Sequence, residues 1–192
     1  TGQSGIGLAS IVKYPFASSV AGSHGKFGFF SSEEAYYRKI ADELGIICTS
    51  APGEALRYVR HPLVFLMEAA DDICYEIMDI EDAHKLKLLT FSETEELLLG
   101  FFDDEDRAAI RRRVEEDGVT DVNEKVVYLR ACVVGKLESE CVRAFVDHEA
   151  EILAGEFTQS LISAISPRQR DAYKRCTKVS REKIYQSRIV LD

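Results

Sequence analysis

The stretch from Arg60 to Asp82 places its apolar residues at helical intervals. Leu63, Leu66, Ala70, Ile73, Ile77 and Ile80 are spaced 3, 4, 3, 4, 3, which describes one helix face turned toward a core. Pro62 suits the first turn, where no intrahelical bond needs its missing N–H. The pattern allows the helix to continue to about Lys87. At about 100° per residue, Glu68, Asp71, Tyr75 and Asp79 share a ridge nearly opposite the apolar stripe. Two readings of that ridge stay open. It is a solvated acidic face, or a place for metal or phosphate chemistry, since hard cations take carboxylate oxygen.

The rest of the chain has the same period. Residues 1–12 read as a glycine-rich turn leading into a short helix that Lys13-Tyr14-Pro15 ends. Gly5-Ile6-Gly7 lacks a following Gly-Lys-Ser/Thr and is not a phosphate loop. Residues 17–28 are a loop, followed by the aromatic cluster Phe27, Phe29 and Phe30. Ser31 with Glu34, and Ser92 with Glu95, have capping-box spacing; Gly45 and Gly100 close the helices they open. Asp103 and Asp104 open a charged helix that reaches Asp117, and its triple arginine, Arg111 to Arg113, is a solvated face. The longest periodic segment runs from about Asn123 to Leu153, with Gly155 as its stop. A short helix over 158–165 follows, and Pro167 begins a last helix that is basic from Arg168 to Arg188. No run alternates with period two, and no Asn-Gly or Asp-Gly pair joins two such runs. The expected class is all-α.

With 192 residues and no repeat or low-complexity linker, the chain reads as a single all-α domain able to bury a core. A net charge of −9 argues against nonspecific nucleic-acid binding by the chain as a whole. The five cysteines are scattered, odd in number and without a Cys-x-x-Cys pair, which points to reduced thiols in helix cores and a cytoplasmic protein. No apolar run approaches a membrane span, and no leader pattern is present, so no membrane association is expected.

Chemistry has few places to sit. His24, His61, His84 and His148 do not pair at metal spacing, and no Gly-x-Ser-x-Gly elbow occurs. His61 alone keeps interest, because it stands just before the acidic helix. What remains is the carboxylate ridge, the loop lysines Lys13 and Lys26, and the arginine sets. That combination suits a cation bridging an anionic ligand.

The run from Arg60 through Ala83, and above all Glu68-Ala69-Ala70-Asp71-Asp72-Ile73 with Tyr75, closely resembles the dGTP triphosphohydrolase family of HD-domain metal phosphohydrolases. Gly7-Leu8, Lys13-Tyr14-Pro15, Lys26-Phe27-Gly28-Phe29-Phe30 and Tyr128-Leu129-Arg130-Ala131 agree in order and rough spacing. The resemblance runs from residue 7 to about 190. It implies an HD-domain-like helical bundle and hydrolysis of a dNTP, dGTP favoured, to deoxynucleoside and intact triphosphate. It implies one divalent metal, Mn²⁺ or Mg²⁺, with Asp71 as a ligand. Tyr75 and Asp79 match residues that hold the deoxyribose, the tyrosine excluding a 2′-hydroxyl. Lys13 and Lys26 are similar to lysines on the triphosphate, and Arg130 is a further phosphate candidate. The family's other metal ligands, a His and a His-Asp pair, have no match in residues 1–192. The chain is therefore expected to be an incomplete C-terminal segment of a longer protein, inactive alone. The alternative is a catalytically incomplete nucleotide-binding or oligomer-assembly module. A helical scaffold with a fortuitous acidic face is the remaining possibility. Relatives also imply a homo-oligomer, with a dNTP or single-stranded nucleic acid as a possible effector at the basic last helix or a subunit interface there.

Overall fold

The computed structural model describes residues 5–22 and 25–186. The first four residues of the glycine-rich turn, His24 and Arg188 lie outside the described residues. Among those described, the secondary structure is helical: α1 (Gly5–Ile11), α2 (Glu34–Leu44), α3 (Pro62–Lys85), α4 (Phe91–Leu99), α5 (Asp104–Glu116), α6 (Val122–Asp147), α7 (Glu149–Ala154), α8 (Leu161–Ala164) and α9 (Pro167–Val179). Among the described residues, extended pairing is limited to isolated bridges, Phe16 with Arg57, Ala17 with Phe29 and Cys48 with Tyr58. The protein is all-α, consistent with an HD-domain-like bundle.

The chain divides into two compact units, one of Thr1–Glu68 with Phe145–Ser160, the other of Ala69–Ala144 with Leu161–Asp192. In the first, Ala17, Phe29, Tyr37, Ala41 and Tyr58 form a core, with Val12, Ile46 and Leu56 packed against it. Phe29 stacks on Tyr37 with ring centroids 4.4 Å apart, and Tyr58 meets Tyr37 edge-on at 5.4 Å. Burial, then the neighbouring Tyr58, pushes the Tyr37 phenol up to about 12. Backbone approaches closely at Gly28, where a Cβ would overlap the Tyr14 carbonyl oxygen and lie 2.5 Å from Val12 Cγ1. Gly155 ends α7 at φ 74°, and a Cβ there would come within 2.5 Å of Val59. Both positions require glycine.

In the second unit the buried apolar residues of α3 are Ala69, Ile73, Ile77, Ile80 and Ala83. The stripe expected from periodicity thus holds for its C-terminal half. Toward the start of α3, Val64, Phe65 and Glu68 are buried instead, while Leu63 is exposed. Leu98, Leu99, Phe101, Val126, Leu129, Val133, Leu137, Leu161, Ile165, Ala172 and Cys176 are buried as well.

Several local expectations shift. The single helix expected from about Asn123 to Leu153 is two, interrupted at His148 (φ −108°, ψ 14°). The second capping box is two residues earlier than expected. Thr90 Oγ1 accepts from the Glu93 N–H, and Glu93 Oε2 accepts from the Thr90 N–H at 2.8 Å. At the start of α2 it is Glu33, not Glu34, that reaches back to the Phe30 N–H (2.9 Å), and Ser31 sits in a 3₁₀ turn that precedes the helix. Cys141 and Cys176 are core thiols, whereas Cys48 and Cys74 are exposed.

Candidate functional site

The ridge on α3 stands partly as periodicity draws it. Asp71 and Tyr75 are exposed, Tyr75 at 64%, and Asp79 is half-buried. Asp71, Asp72, Tyr75, Glu76 and Tyr173 line a hollow of about 330 Å³. α9 forms its other side. The Tyr173 hydroxyl donates to the Asp72 carbonyl oxygen at 3.0 Å, and burial, then the nearby Asp72 and Glu76, raises its phenol above the ordinary range. Glu76 turns inward and accepts from the buried Ser180 hydroxyl at 2.7 Å. Further along, Asp79 Oδ2 accepts from the Tyr185 hydroxyl at 2.7 Å.

Arg130 does not line that hollow. Its Nε lies 2.5 Å from Oε2 of the buried Glu81, whose other oxygen holds Lys85 at 2.5 Å. The Arg130 contact is an ion pair without hydrogen-bond alignment. The guanidinium's charge is thus already matched.

Lys13 and Lys26 belong to the first unit. There a cleft of about 600 Å³ is lined by Lys13, Tyr14, Arg57, Arg60, Phe65 and Glu68, among others. Glu68, grouped with the ridge by periodicity, is only 5% exposed. Its Oε1 meets Lys13 Nζ at 2.8 Å and its Oε2 meets Arg60 Nη1 at 2.7 Å. Arg60 also donates to the Thr158 carbonyl oxygen at 2.7 Å and lies over the Phe65 ring at 4.2 Å. Lys26 stands over the Tyr14 ring at 5.4 Å. Lys13, Arg57 and Arg60 outnumber Glu68, which leaves a cationic cleft suited to an anion. His61 has a backbone role, its Nδ1 accepting from the Leu63 N–H at 3.2 Å as α3 begins. Burial lowers its pKa.

The donor set does not make a metal site by itself. Among the described residues no group of three or more His, Cys, Asp and Glu side chains is placed to hold an ion, and a divalent metal takes several such ligands or waters. Sequence reasoning missed Tyr173 and Tyr185. Both lie about a hundred residues from their α3 partners, so no local pattern marks them.

No family model matches the chain. It is 35% identical over 185 residues to a deoxyguanosinetriphosphate triphosphohydrolase-like protein of Pseudomonas aeruginosa, covering 94% of this chain and 40% of that protein. A protein of the same description from Synechocystis is 34% identical, over 85% of the chain and 37% of its own length. The deoxyguanosinetriphosphate triphosphohydrolase of Serratia proteamaculans is 31% identical, over 83% of the chain and 34% of its own length. No helix among the described residues is long and apolar enough to cross a membrane. By this similarity along nearly its whole length, the chain belongs to the deoxyguanosinetriphosphate triphosphohydrolase family, spanning about two-fifths of the relatives it matches.

Proposed function

We propose that this chain supplies part of the active site of a deoxynucleoside triphosphate triphosphohydrolase, with dGTP the favoured substrate and deoxyguanosine and triphosphate the products. The observation that carries the reading is the face of α3 where exposed Asp71 and Tyr75 and half-buried Asp79 follow one another at four-residue intervals, the first two lining a hollow. In this reading Asp71 is one ligand of a divalent cation, Mn²⁺ or Mg²⁺, and the other ligands come from sequence outside the described residues. Such an ion, when bound, polarises phosphoryl oxygen and lowers the pKa of water. The Tyr75 ring packs against the deoxyribose and excludes a 2′-hydroxyl, while Asp79 accepts from a sugar hydroxyl. Lys13 and Lys26 receive the triphosphate, and Arg130 is a weaker candidate because Glu81 holds it.

The test is Mn²⁺-dependent release of triphosphate from dGTP, by the chain as given and by an N-terminally extended form. Activity is expected in the extended form and absent from the chain alone. Asp71→Ala should abolish release in the extended form with helix content unchanged; wild-type release would remove Asp71 from the site. The lack of a three-donor group among the described residues favours one second reading, a module that binds nucleotide without hydrolysing it. Binding of dGTP by both forms with no release from either would establish that reading.

A basic groove of about 810 Å³ along α9, with Arg170, Lys174, Lys178 and Arg181 on its walls, supports a further assignment. It is the place for an anionic effector, a dNTP or a single-stranded nucleic acid, or for contact between copies in a homo-oligomer.

A further inference from the structure

Beyond α9 the chain continues into a single wide turn, Ser180–Tyr185, with i→i+5 geometry. In an α-helix residues five apart stand about 140° apart around the axis. An i→i+5 turn is wider and narrows that angle. Ser180 and Tyr185 are five apart, and both reach the same helix, Ser180 to Glu76 and Tyr185 to Asp79, each at 2.7 Å. The turn is tied down elsewhere too, by the buried Ile184 and by Lys183 on Glu93 at 2.7 Å. Turns of this kind are rare and concentrate at functional sites.

Tyr185 is 45% exposed and Tyr75 is 64% exposed. Two large aromatic rings stand in solvent beside one carboxylate. The Tyr185 hydroxyl donates to Asp79 Oδ2, and the Asp79 carboxylate first, then the Tyr75 phenol, holds its proton above the ordinary phenol range. With that proton engaged, one Asp79 oxygen is occupied and the other is left to accept.

We propose that Tyr185 is a positioning residue of the sugar pocket. It fixes the Asp79 carboxylate so that the other Asp79 oxygen receives the hydroxyl of a deoxynucleotide. This rests on the reading of Asp79 as the sugar acceptor. A 2′-deoxynucleoside 5′-triphosphate has one sugar hydroxyl, at the 3′ carbon, so that group is the donor. A mobile Asp79 weakens a bond that a 2′,3′-dideoxynucleotide cannot form.

The experiment measures Kd for dGTP and for 2′,3′-dideoxy-GTP by titration calorimetry with Ca²⁺ in place of Mn²⁺, so that the ligand is not turned over during the titration. It uses the longest natural polypeptide that contains this chain, as wild type, Tyr185→Phe and Asp79→Asn. Tyr185→Phe keeps the ring and should leave the melting temperature unchanged. It should weaken dGTP about tenfold and dideoxy-GTP less than about twofold, so that discrimination between the two collapses. Equal weakening of both ligands, or of neither, overturns the positioning role, since a structural defect does not distinguish them. If Asp79→Asn leaves the discrimination at its wild-type value, or if the wild type does not discriminate or bind, the sugar reading itself fails, separately from Tyr185.

Discussion

Replacing Glu68 by glutamine tests how the cationic cleft is held together. The side chain is 5% exposed and both oxygens are paired, with Lys13 at 2.8 Å and Arg60 at 2.7 Å. Removing one member of a buried ion pair costs about 3–5 kcal/mol when the remaining charge is stranded. Here the stranding is incomplete. The Lys13 side chain is 42% exposed and keeps its water, so its share falls toward surface values. The Arg60 side chain is 19% exposed but keeps the Thr158 and Gln159 carbonyls and the face of Phe65. Glutamine also retains an acceptor, so the expected loss is about 2 kcal/mol. For a chain of this length that is a fall in melting temperature of about 4–8 °C. Double-mutant cycles apportion it. Coupling of Glu68→Gln with Arg60→Met should be about 1–2 kcal/mol, and with Lys13→Met below about 0.5 kcal/mol. Urea unfolding followed by circular dichroism gives all the required values. A Lys13 coupling as large as that of Arg60 would refute the screening argument, and a Glu68→Gln loss under about 0.5 kcal/mol would refute the organising role of the carboxylate.

Two further outcomes follow from described contacts. The Glu93 carboxyl is held down to about 2 from 4.5, first by Lys183, then by the Thr90 N–H and hydroxyl. A carboxylate depressed on folding stabilises above its unfolded pKa and loses that contribution as pH falls through the folded value. The wild type should therefore melt above Glu93→Gln at neutral pH, with the gap closing between pH 4.5 and 2; a gap unchanged at pH about 3 would count against this linkage. Gly28→Ala forces a Cβ against the Tyr14 carbonyl and Val12 and should cost about 1–3 kcal/mol in urea unfolding. A neutral result would mean that the Val12 to Tyr14 segment shifts freely.

The helices were legible because their cores obey one period, and Pro62, Gly45, Gly100 and Gly155 mark ends that the structure keeps. The caps were less so. Thr90/Glu93 and Ser92/Glu95 both satisfy the same four-residue pattern, and periodicity cannot choose between two registers that differ by two residues. The break at His148 has no glycine or proline to announce it. Its ring packs on Phe157 and its Nδ1 meets Glu151, contacts that are tertiary or lie across the break. Glu68 was misread for a related reason. Its angle on α3 puts it with the acids, but one of its partners is Lys13, 55 positions earlier in the chain. Of the candidate site, the α3 ridge could be read from spacing and resemblance, whereas Tyr173 and Tyr185 could not, since only the fold brings them to α3.

The first unit is built from two stretches of chain, and the second stretch begins 77 residues after the first ends, from Glu68 to Phe145. During synthesis at about 5–20 residues per second, the early stretch leaves the ribosome roughly 4–15 s before its complement exists. In that interval Phe65 has no Phe157 to meet and Arg60 has no Thr158 carbonyl, while Val59 waits for the backbone at Gly155. Early closure is confined to what residues 5–68 carry among themselves, the stacked Phe29–Tyr37–Tyr58 core and the Lys13–Glu68–Arg60 cluster. Within the first unit the cleft is finished last, by a short segment that arrives late, and a nascent chain stalled before residue 145 would present Phe65 to whatever binds exposed aromatic surface.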